Sequence, residues 1–346
     1  MAKRIVFCTD GTWDTPRMND NVYRLYKALL VTADQVTFYD DGVGADTTGL
    51  DHIVGGAFGQ GLIQKVQDAY TKIAHVYETG DKIYLFGFSR GAFTARSIAG
   101  MIATCGLPTG SFTDDCVTKT FQAYRDPTNR AQLLAGLGVC GLGDATIQMV
   151  GVWDTVGSLG IPAIFGGVDE KEYGFLDTGL HPDVKSAYQA LAVDEQRAQF
   201  PATLWMSVPA PGQVIEQVWF SGCHSDIGGG TALAGGVDDS TELSNISLGW
   251  MAAKAQAQGL TFDPTQASQF ATMPAKYALD AIHESWRPVM GAPHNRPIDE
   301  KASVSNSAAV RIQYAQTYTP PNLTLGDDQL LADTYTQVEV VDVNAF

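Results

Sequence analysis

Ile83-Tyr-Leu-Phe-Gly-Phe-Ser-Arg-Gly-Ala92 is the stretch that decides the fold, because it joins an apolar strand to a G-x-S-x-G turn. The residues that follow, Ala92–Ala103, are mostly small or apolar and predict a helix. In this arrangement a sharp turn lifts the serine hydroxyl into the open, and the flanking small residues relieve crowding. The pattern therefore predicts that Ser89 is a nucleophile at a helix N-terminus, where backbone N–H groups favour developing negative charge.

Strand-like and helix-like segments alternate on both sides of this turn, which is typical of an α/β architecture with a mainly parallel sheet. We predict an α/β-hydrolase fold, with the sheet flanked by helices and residues 1–346 forming a single domain. An apolar, Gly-rich loop insertion is expected at about 157–177, and an irregular tail from about residue 302, with a strand-like patch at Val310–Tyr314. The predicted strands are Arg4–Cys8, Gln35–Tyr39, Lys82–Phe86, Thr146–Trp153 and Val214–Phe220, and the predicted helices are Asn21–Thr32, Leu62–Thr79, Ala92–Ala103 and Ser244–Gln258.

The composition is that of a packed globular protein, with 346 residues, 45% of them hydrophobic and 17% charged. The formal net charge of −16 repels phosphate backbones, so we expect no nucleic-acid partner. The same charge disfavours electrostatic docking on anionic lipid. No run of 18 or more apolar residues occurs, so we expect no transmembrane segment.

The N-terminus and the cysteines bear on where the protein is made. Two basic residues precede a short apolar run, and Asp10 follows at once, which is typical of a first strand rather than a signal peptide. The five cysteines are scattered and lack a C-x-x-C motif, so neither a disulfide framework nor a zinc site is expected. We expect production in a reducing cytoplasm, with export by a signal-peptide-independent system left open.

An oxyanion hole requires two backbone donors near the nucleophile. The residue after the serine supplies one, which here is Arg90. The loop after the first strand, with Gly11 and Thr12, is the best candidate for the second, because glycine allows close backbone approach. Cys8-Thr-Asp-Gly-Thr12 also resembles the opening motif of haloacid-dehalogenase phosphatases, but Cys8 stands where their nucleophilic aspartate would be, which disfavours that hypothesis.

Two constellations of acid and base fit the chain order of serine, acid and histidine. In the first, Asp154 follows the strand that ends at Trp153, and His224 follows the strand that ends at Phe220. Active-site residues of open α/β sheets lie beyond the carboxyl ends of strands, and both residues meet that rule. In the second, Asp226 is the acid and His283 the base. The residues alone leave both constellations open.

Neither a metal nor a cofactor is predicted. His224 and Asp226 are separated by one residue, and two such ligands on a turn are not a metal signature. The apolar stretch Leu159–Phe165, just after Asp154, has two interpretations: it lines an acyl pocket or acts as a lid, or it is a buried loop of the core.

Several blocks taken together resemble the catalytic domain of type VI secretion phospholipase effectors, a family long filed as a domain of unknown function. They cover most of residues 4–290. The blocks are Cys8-Thr-Asp-Gly-Thr-Trp13, Gly87-Phe-Ser-Arg-Gly-Ala92, Val150-Gly-Val-Trp-Asp-Thr-Val-Gly157, Ala190-Leu-Ala-Val-Asp-Glu-Gln-Arg197, Trp219-Phe-Ser-Gly-Cys-His-Ser-Asp-Ile-Gly-Gly-Gly230 and Leu243-Ser-Asn-Ile-Ser-Leu-Gly-Trp-Met251.

The resemblance implies a Ser-Asp-His triad, and matching block by block places these roles on Ser89, Asp154 and His224. It also implies a serine hydrolase that cleaves carboxylic esters, with lipid or phospholipid acyl esters as substrates and peripheral membrane contact. Two alternatives stay open: a catalytically idle hydrolase fold used for binding, and a hydrolase acting on non-ester substrates. The oligomeric state, the acyl-chain length and the head group are not predicted.

Overall fold

The computed structural model describes residues 2–11, 19–41, 55–137, 142–156, 179–230, 242–267, 270, 273–315 and 317–345. Within these ranges the strands are β1 Arg4–Thr9, β2 Gln35–Asp40, β3 Lys82–Phe88, β4 Leu107–Pro108, β5 Leu142–Gly143, β6 Thr146–Trp153, β7 Val184–Ala192, β8 Val214–Phe220, β9 Ser303–Ser305 and β10 Thr336–Val338. The helices are α1 Asn21–Ala28, α2 Gly55–Val76, α3 Ser89–Cys105, α4 Asp114–Arg125, α5 Arg130–Ala135, α6 His224–Gly228, α7 Glu242–Ala257, α8 Pro264–Ala267 and α9 Asn306–Tyr314.

Eight of the described strands form one sheet in the order β10-β9-β8-β7-β6-β3-β1-β2. Every neighbouring pair in this sheet is parallel. The chain order reverses at β1, which has β2 on one side and β3 on the other. Open parallel sheets bind ligands beyond the carboxyl ends of the strands at such a reversal. The fold therefore points to the ends of β1 and β3 as the place for a site.

Helices cover both faces of the sheet because its central strands are apolar on both sides. Ile5, Phe7, Ile83 and Leu85 face one way and pack in a core with residues of α2, α3 and α4. Their neighbours along the strands, such as Val6, Tyr84 and Phe86, face the opposite way into a second core with α1 and α7. Successive side chains of a strand point to opposite faces, so this division follows directly from the strand geometry. The predicted α/β class with a mainly parallel central sheet flanked by helices is confirmed.

Helix α1 shows how local signals set the element bounds. The side chain of Asp20 caps its N-terminus by accepting a hydrogen bond from the backbone N–H of Tyr23. Val22, Leu25 and Ala28 recur at helical spacing and are buried. The helix ends before the predicted Thr32, because Leu30 N–H turns away to bond the carbonyl of Thr261.

The C-terminal part differs from the prediction. Val310–Tyr314 is not strand-like but lies in helix α9, which Ser305 caps by accepting from the N–H of Ala308. Strands β9 and β10, on either side of this helix in the chain, extend the sheet at one edge. Ala308 and Ile312, four residues apart, are buried on one helical face, and this spacing outweighed the local β-propensity. The predicted loop insertion at 157–177 lies outside the described residues.

The described cysteines include one that is disulfide-bonded, Cys116. The scattered cysteines predicted no disulfide framework, and this bond was not foreseen, because pairing depends on the approach of two Cα atoms in space and not on a spacing motif. Cys8, Cys105 and Cys223 are free and buried. No helix in the described part of the chain has the length and apolar character needed to cross a membrane.

Candidate active site

Ser89 sits on the turn between β3 and α3 and has a backbone φ of +57°. A positive φ is strained for a residue with a side chain, and the surrounding packing holds it in place. A Cβ atom on Gly87 would lie 2.4 Å from the carbonyl oxygen of Gly91, and one on Gly91 would lie 2.3 Å from the carbonyl oxygen of Thr9. Both glycines of the motif are therefore required by backbone approach, and the second brings the start of α3 against the end of β1.

His224 is the first residue of α6, just after β8. Its Nε2 lies 2.8 Å from the hydroxyl oxygen of Ser89. The aromatic rings of Phe88 and Phe200 pack against the imidazole, with centroids 4.5 and 5.0 Å away. The histidine is almost completely buried, so the ring is fixed in the orientation that places its nitrogen on the serine.

Asp154 follows β6 and, like Ser89, has a positive φ, of +41°. Its Oδ2 lies 2.5 Å from Nδ1 of His224. Its backbone N–H donates to the carbonyl of Ala190, and its Oδ1 accepts from the N–H of Ala192. The neighbouring strand β7 therefore fixes both the main chain and the carboxylate of the aspartate.

Arg296 also contacts this carboxylate and was not among the predicted residues. Its Nη1 donates to Oδ1 of Asp154 at 2.6 Å and its Nη2 to Oδ2 at 2.9 Å. Burial acts to raise the pKa of Asp154, but Arg296 and His224 outweigh it and hold the pKa of this carboxyl well below its usual range. The aspartate is therefore ionised at neutral pH although no part of it is exposed to solvent.

The electrostatics of His224 favour its neutral form. Burial lowers the pKa of the imidazole below its ordinary value, against the hydrogen bond that the imidazole donates to Asp154, which acts to raise it. A group with a lowered pKa stays deprotonated to lower pH. At neutral pH the imidazole is therefore unprotonated at one nitrogen and able to accept a proton.

Glu195 supports the histidine from its backbone side. Its Oε2 accepts a hydrogen bond from the N–H of His224 at 3.2 Å. Arg197 donates to both oxygens of Glu195 at 2.8 Å, and its guanidinium stacks 3.6 Å from the ring centroid of Phe200. Burial acts to raise the pKa of Glu195, but Arg197 outweighs it and the pKa is lowered. The charged segment Asp194-Glu-Gln-Arg197 contains this pair, but it follows strand β7, which was not among the predicted strands.

The residues of the second constellation form a pair of their own. Nδ1 of His283 lies 2.6 Å from Oδ1 of Asp226. The other oxygen, Oδ2, accepts from the backbone N–H groups of Cys223 and His283. The structure thus joins Ser89 to His224 and His224 to Asp154, whereas Asp226 caps the helix that carries His224.

Two of the three candidates for the oxyanion hole, Arg90 and Gly11, follow the adjacent strands β3 and β1 at the reversal point of the sheet. Arg90 follows Ser89 in the first turn of α3, so its backbone N–H belongs to the helix N-terminus. Gly11 follows β1, the adjacent strand, and is buried. Thr12 lies outside the described residues. Among the residues that are described, no group of three or more His, Cys, Asp or Glu side chains is placed to hold a metal ion.

Comparison with protein families decides the relationship. Residues 3–254 match the family described as "T6SS, Phospholipase effector Tle1-like, catalytic domain". The chain belongs to this family. The resemblance seen in the sequence is confirmed, and membership of a Tle1-like phospholipase family supports lipid ester hydrolysis as the general class of chemistry. Ser89, Asp154 and His224 lie inside the matched region, whereas His283 and Arg296 lie beyond it.

Individual relatives of this Tle1-like chain are distant. The uncharacterized protein YEL023C of Saccharomyces cerevisiae is 26% identical over 236 residues, which are 60% of this chain and 33% of that protein. An uncharacterized protein from Pseudomonas aeruginosa has a crystal structure with 16% identity and a TM-score of 0.50, covering 92% of this chain and 51% of that one. The Tle1 effector bound to the VgrG spike of the type 6 secretion system shows 17% identity and a TM-score of 0.41, covering 68% and 52%. The chain thus spans about half the length of these two solved chains and about a third of the yeast protein.

Proposed function

We propose that this chain is a serine hydrolase that cleaves carboxylic ester bonds of lipids, with Ser89 as nucleophile, His224 as general base and Asp154 as the acid that orients it. The observation that carries the proposal is the continuous hydrogen-bonded chain from Ser89 Oγ through both nitrogens of His224 to Asp154, with steps of 2.8 and 2.5 Å. A nucleophile, a base in hydrogen-bond reach and a third group that orients the base are the parts that acyl transfer needs.

The reaction follows from these positions. His224 Nε2 takes the hydroxyl proton as Ser89 Oγ attacks the ester carbonyl, and Asp154 stabilises the imidazolium that forms. The bond to the leaving alcohol breaks, the alcohol receives the proton from His224, and an acyl-serine remains. Water then attacks the acyl group with His224 again as base, the serine recovers its proton, and the carboxylic acid leaves.

Backbone N–H donors stabilise the negative charge that develops on the carbonyl oxygen. The N–H of Arg90 at the start of α3 is one, and the loop with Gly11 and Thr12 is the source of the second. Gly91 lies so close to the carbonyl oxygens of Thr9 and Asp10 that the chain at the end of β1 is held beside the nucleophile. Loss of one such donor costs about 10²–10³ in turnover.

Family membership supports lipid acyl esters, including those of phospholipids, as substrates. Production in the cytoplasm and export by the type VI secretion machinery are further parts of the proposal. So is peripheral contact with a membrane, which the family's substrate class requires. The rest of the proposal needs neither a cofactor nor a nucleic-acid partner.

The test combines an active-site probe with lipid turnover. We expect a fluorophosphonate to label the wild-type chain and phospholipid vesicles to release fatty acid, whereas Ser89→Ala abolishes labelling and lowers turnover by about 10⁶-fold. Ser97→Ala is the matched control, because Ser97 is a buried serine on the same helix whose hydroxyl bonds the carbonyl of Phe93. Turnover that survives in the Ser89→Ala variant contradicts the proposal. A wild-type chain that neither reacts with the probe nor cleaves esters favours a binding role for the fold.

A further inference from the structure

Arg296 reaches the buried acid from a part of the chain that the family match does not include. All five N–H groups of its guanidinium have an acceptor. Two go to the carboxylate of Asp154, one to the carbonyl of Ala192 and two to the carbonyl of Phe200. The side chain is almost fully buried, with 2% of it exposed. A guanidinium in this state is fixed in position and cannot turn without leaving buried donors unpaired.

The two-point contact fixes the carboxylate as well. A planar guanidinium that donates to both oxygens of an aspartate sets the plane of the carboxylate, which a single donor cannot do. Oδ2 of Asp154 is also the atom that meets His224, so the orientation of this plane determines the angle at which the histidine is held. The N–H of Ala192 adds a contact to Oδ1. The acid is therefore clamped on every side that does not face the histidine.

We propose that Arg296 is a positioning residue for the general base, which acts by clamping both oxygens of Asp154 so that the carboxylate stays ionised and aligned with His224. This inference rests on the proposed function of Ser89 and His224. It also extends the catalytic unit beyond residue 254, where the family match ends. Residues from the C-terminal third of the chain complete the site.

The anchoring of Arg296 links the clamp to the rest of the site. Its contacts to the carbonyl of Phe200 hold the residue whose ring packs on the imidazole of His224. The carbonyl of Arg296 accepts from the side chain of Asn322, which also donates to the carbonyl of Val193 at the end of β7. Arg296 thus fixes the carboxylate of Asp154 directly, and it fixes the ring that packs on His224 through its contacts with Phe200.

The charges that face His224 give the direction of the pH effect. Asp154 lies on its Nδ1, Glu195 lies at its backbone N–H and is paired with Arg197, and Asp226 on the same helix is paired with His283. Without Arg296, only His224 is left to offset the burial of Asp154, so the pKa of the carboxyl rises. The uncompensated carboxylate also holds the imidazolium more strongly, so the pKa of His224 rises. Both changes raise the pH below which kcat/KM falls.

The experiment is Arg296→Met in the full chain, with kcat and KM measured on a p-nitrophenyl ester and on phospholipid vesicles across the acid and neutral pH range. Rates are divided by the number of serines that a fluorophosphonate labels when the reaction is run to completion, which removes any loss of folded protein. We expect kcat to fall about 10²-fold with KM close to wild type, because the base is misaligned rather than the substrate site. We expect the apparent pKa on the acid side of the kcat/KM profile to rise by about one unit. Arg296→Lys keeps the charge but loses the fork, so kcat is expected to fall with a smaller pH shift.

The matched control is Arg311→Met. Arg311 is also buried and also donates to two backbone carbonyls, those of Ala278 and Asp280, but it has no contact with Asp154. The Arg311→Met variant is expected to be less stable than the wild type and to keep the wild-type pH profile. If Arg296→Met shows the same pH profile and the same rate per labelled serine as Arg311→Met, the positioning role is overturned.

If Arg296→Met does not fold, the Asp154→Asn/Arg296→Met double variant provides the test. A rate equal to that of Asp154→Asn alone supports action through the acid, and a further large loss contradicts it. Failure of the proposed function is distinct, because Ser89→Ala would then keep its activity.

Discussion

Two aspartate–histidine pairs lie at the carboxyl end of the sheet, and they are nearly identical in their central contact. Nδ1 of His224 lies 2.5 Å from Asp154, and Nδ1 of His283 lies 2.6 Å from Asp226. Both aspartates are fully buried. The pairs differ in what the remaining atoms meet. His224 continues to Ser89 through Nε2, whereas the other carboxylate oxygen of Asp226 accepts from the backbone at Cys223 and His283.

The surroundings of the two acids also differ. Asp154 carries a bidentate guanidinium, and its histidine side chain is 8% exposed, against 23% for His283. Asp226 is the N3 residue of the short helix α6 and bonds the N–H of its cap residue, Cys223. The comparison teaches that an Asp–His contact does not define a role by itself. The second pair is best understood as a brace for the helix that begins at His224.

Replacing each histidine by alanine is expected to give the largest difference in turnover between the two pairs. His224→Ala removes the base, and we expect turnover to fall about 10⁶-fold. His283→Ala leaves Asp226 with its backbone donors, so we expect turnover near wild type and a loss of about 1–3 kcal/mol of stability. Ester hydrolysis and thermal unfolding of both variants measure these effects. A folded but inactive His283→Ala would instead favour the constellation with Asp226 as acid.

The two acids give the next largest contrast. Asp154→Asn cannot hold the required tautomer of His224, and we expect kcat to fall about 10⁴-fold. Asp226→Asn weakens a helix cap, for which a loss of about 0.5–2 kcal/mol in stability is expected with little change in kcat. The measurements are kcat per labelled serine and the thermal unfolding midpoint. The brace interpretation does not survive if Asp226→Asn matches the kinetic loss of Asp154→Asn.

The turn at Ser89 was predictable because its determinants are local. The apolar strand, two glycines and a small-residue helix lie within one short segment, and the structure shows why each is needed. The candidates Asp154 and His224 followed from their positions after strands. The choice between His224 and His283 did not follow from the residues alone, since it depends on distances between the ends of strands that are far apart in sequence.

Arg296 and strand β7 were missed for different reasons. Arg296 lies in a segment without periodicity and meets its acid 142 residues away in sequence. Strand β7 contains the polar residues Ser186 and Gln189, which obscure a buried strand. Gln189 is satisfied by Thr155 and Gln217, contacts that no local pattern encodes. Long-range satisfaction of buried polar groups is therefore the part of this site that sequence reasoning did not reach.

The smallest expected effect concerns Ser285, whose contact with Glu195 joins the two pairs. Its hydroxyl donates to both oxygens of Glu195 at 3.3 Å, and Glu195 accepts from the N–H of His224. These contacts are long, and Glu195 keeps its fork with Arg197 when the hydroxyl is removed. Ser285→Ala is therefore expected to cost less than about 1 kcal/mol and to change kcat by less than about fivefold. Thermal unfolding and kcat per labelled serine provide the check. A kinetic loss as large as that of Asp154→Asn would mean that the segment around His283 transmits its position to His224, and the two pairs would then have to be treated as one network.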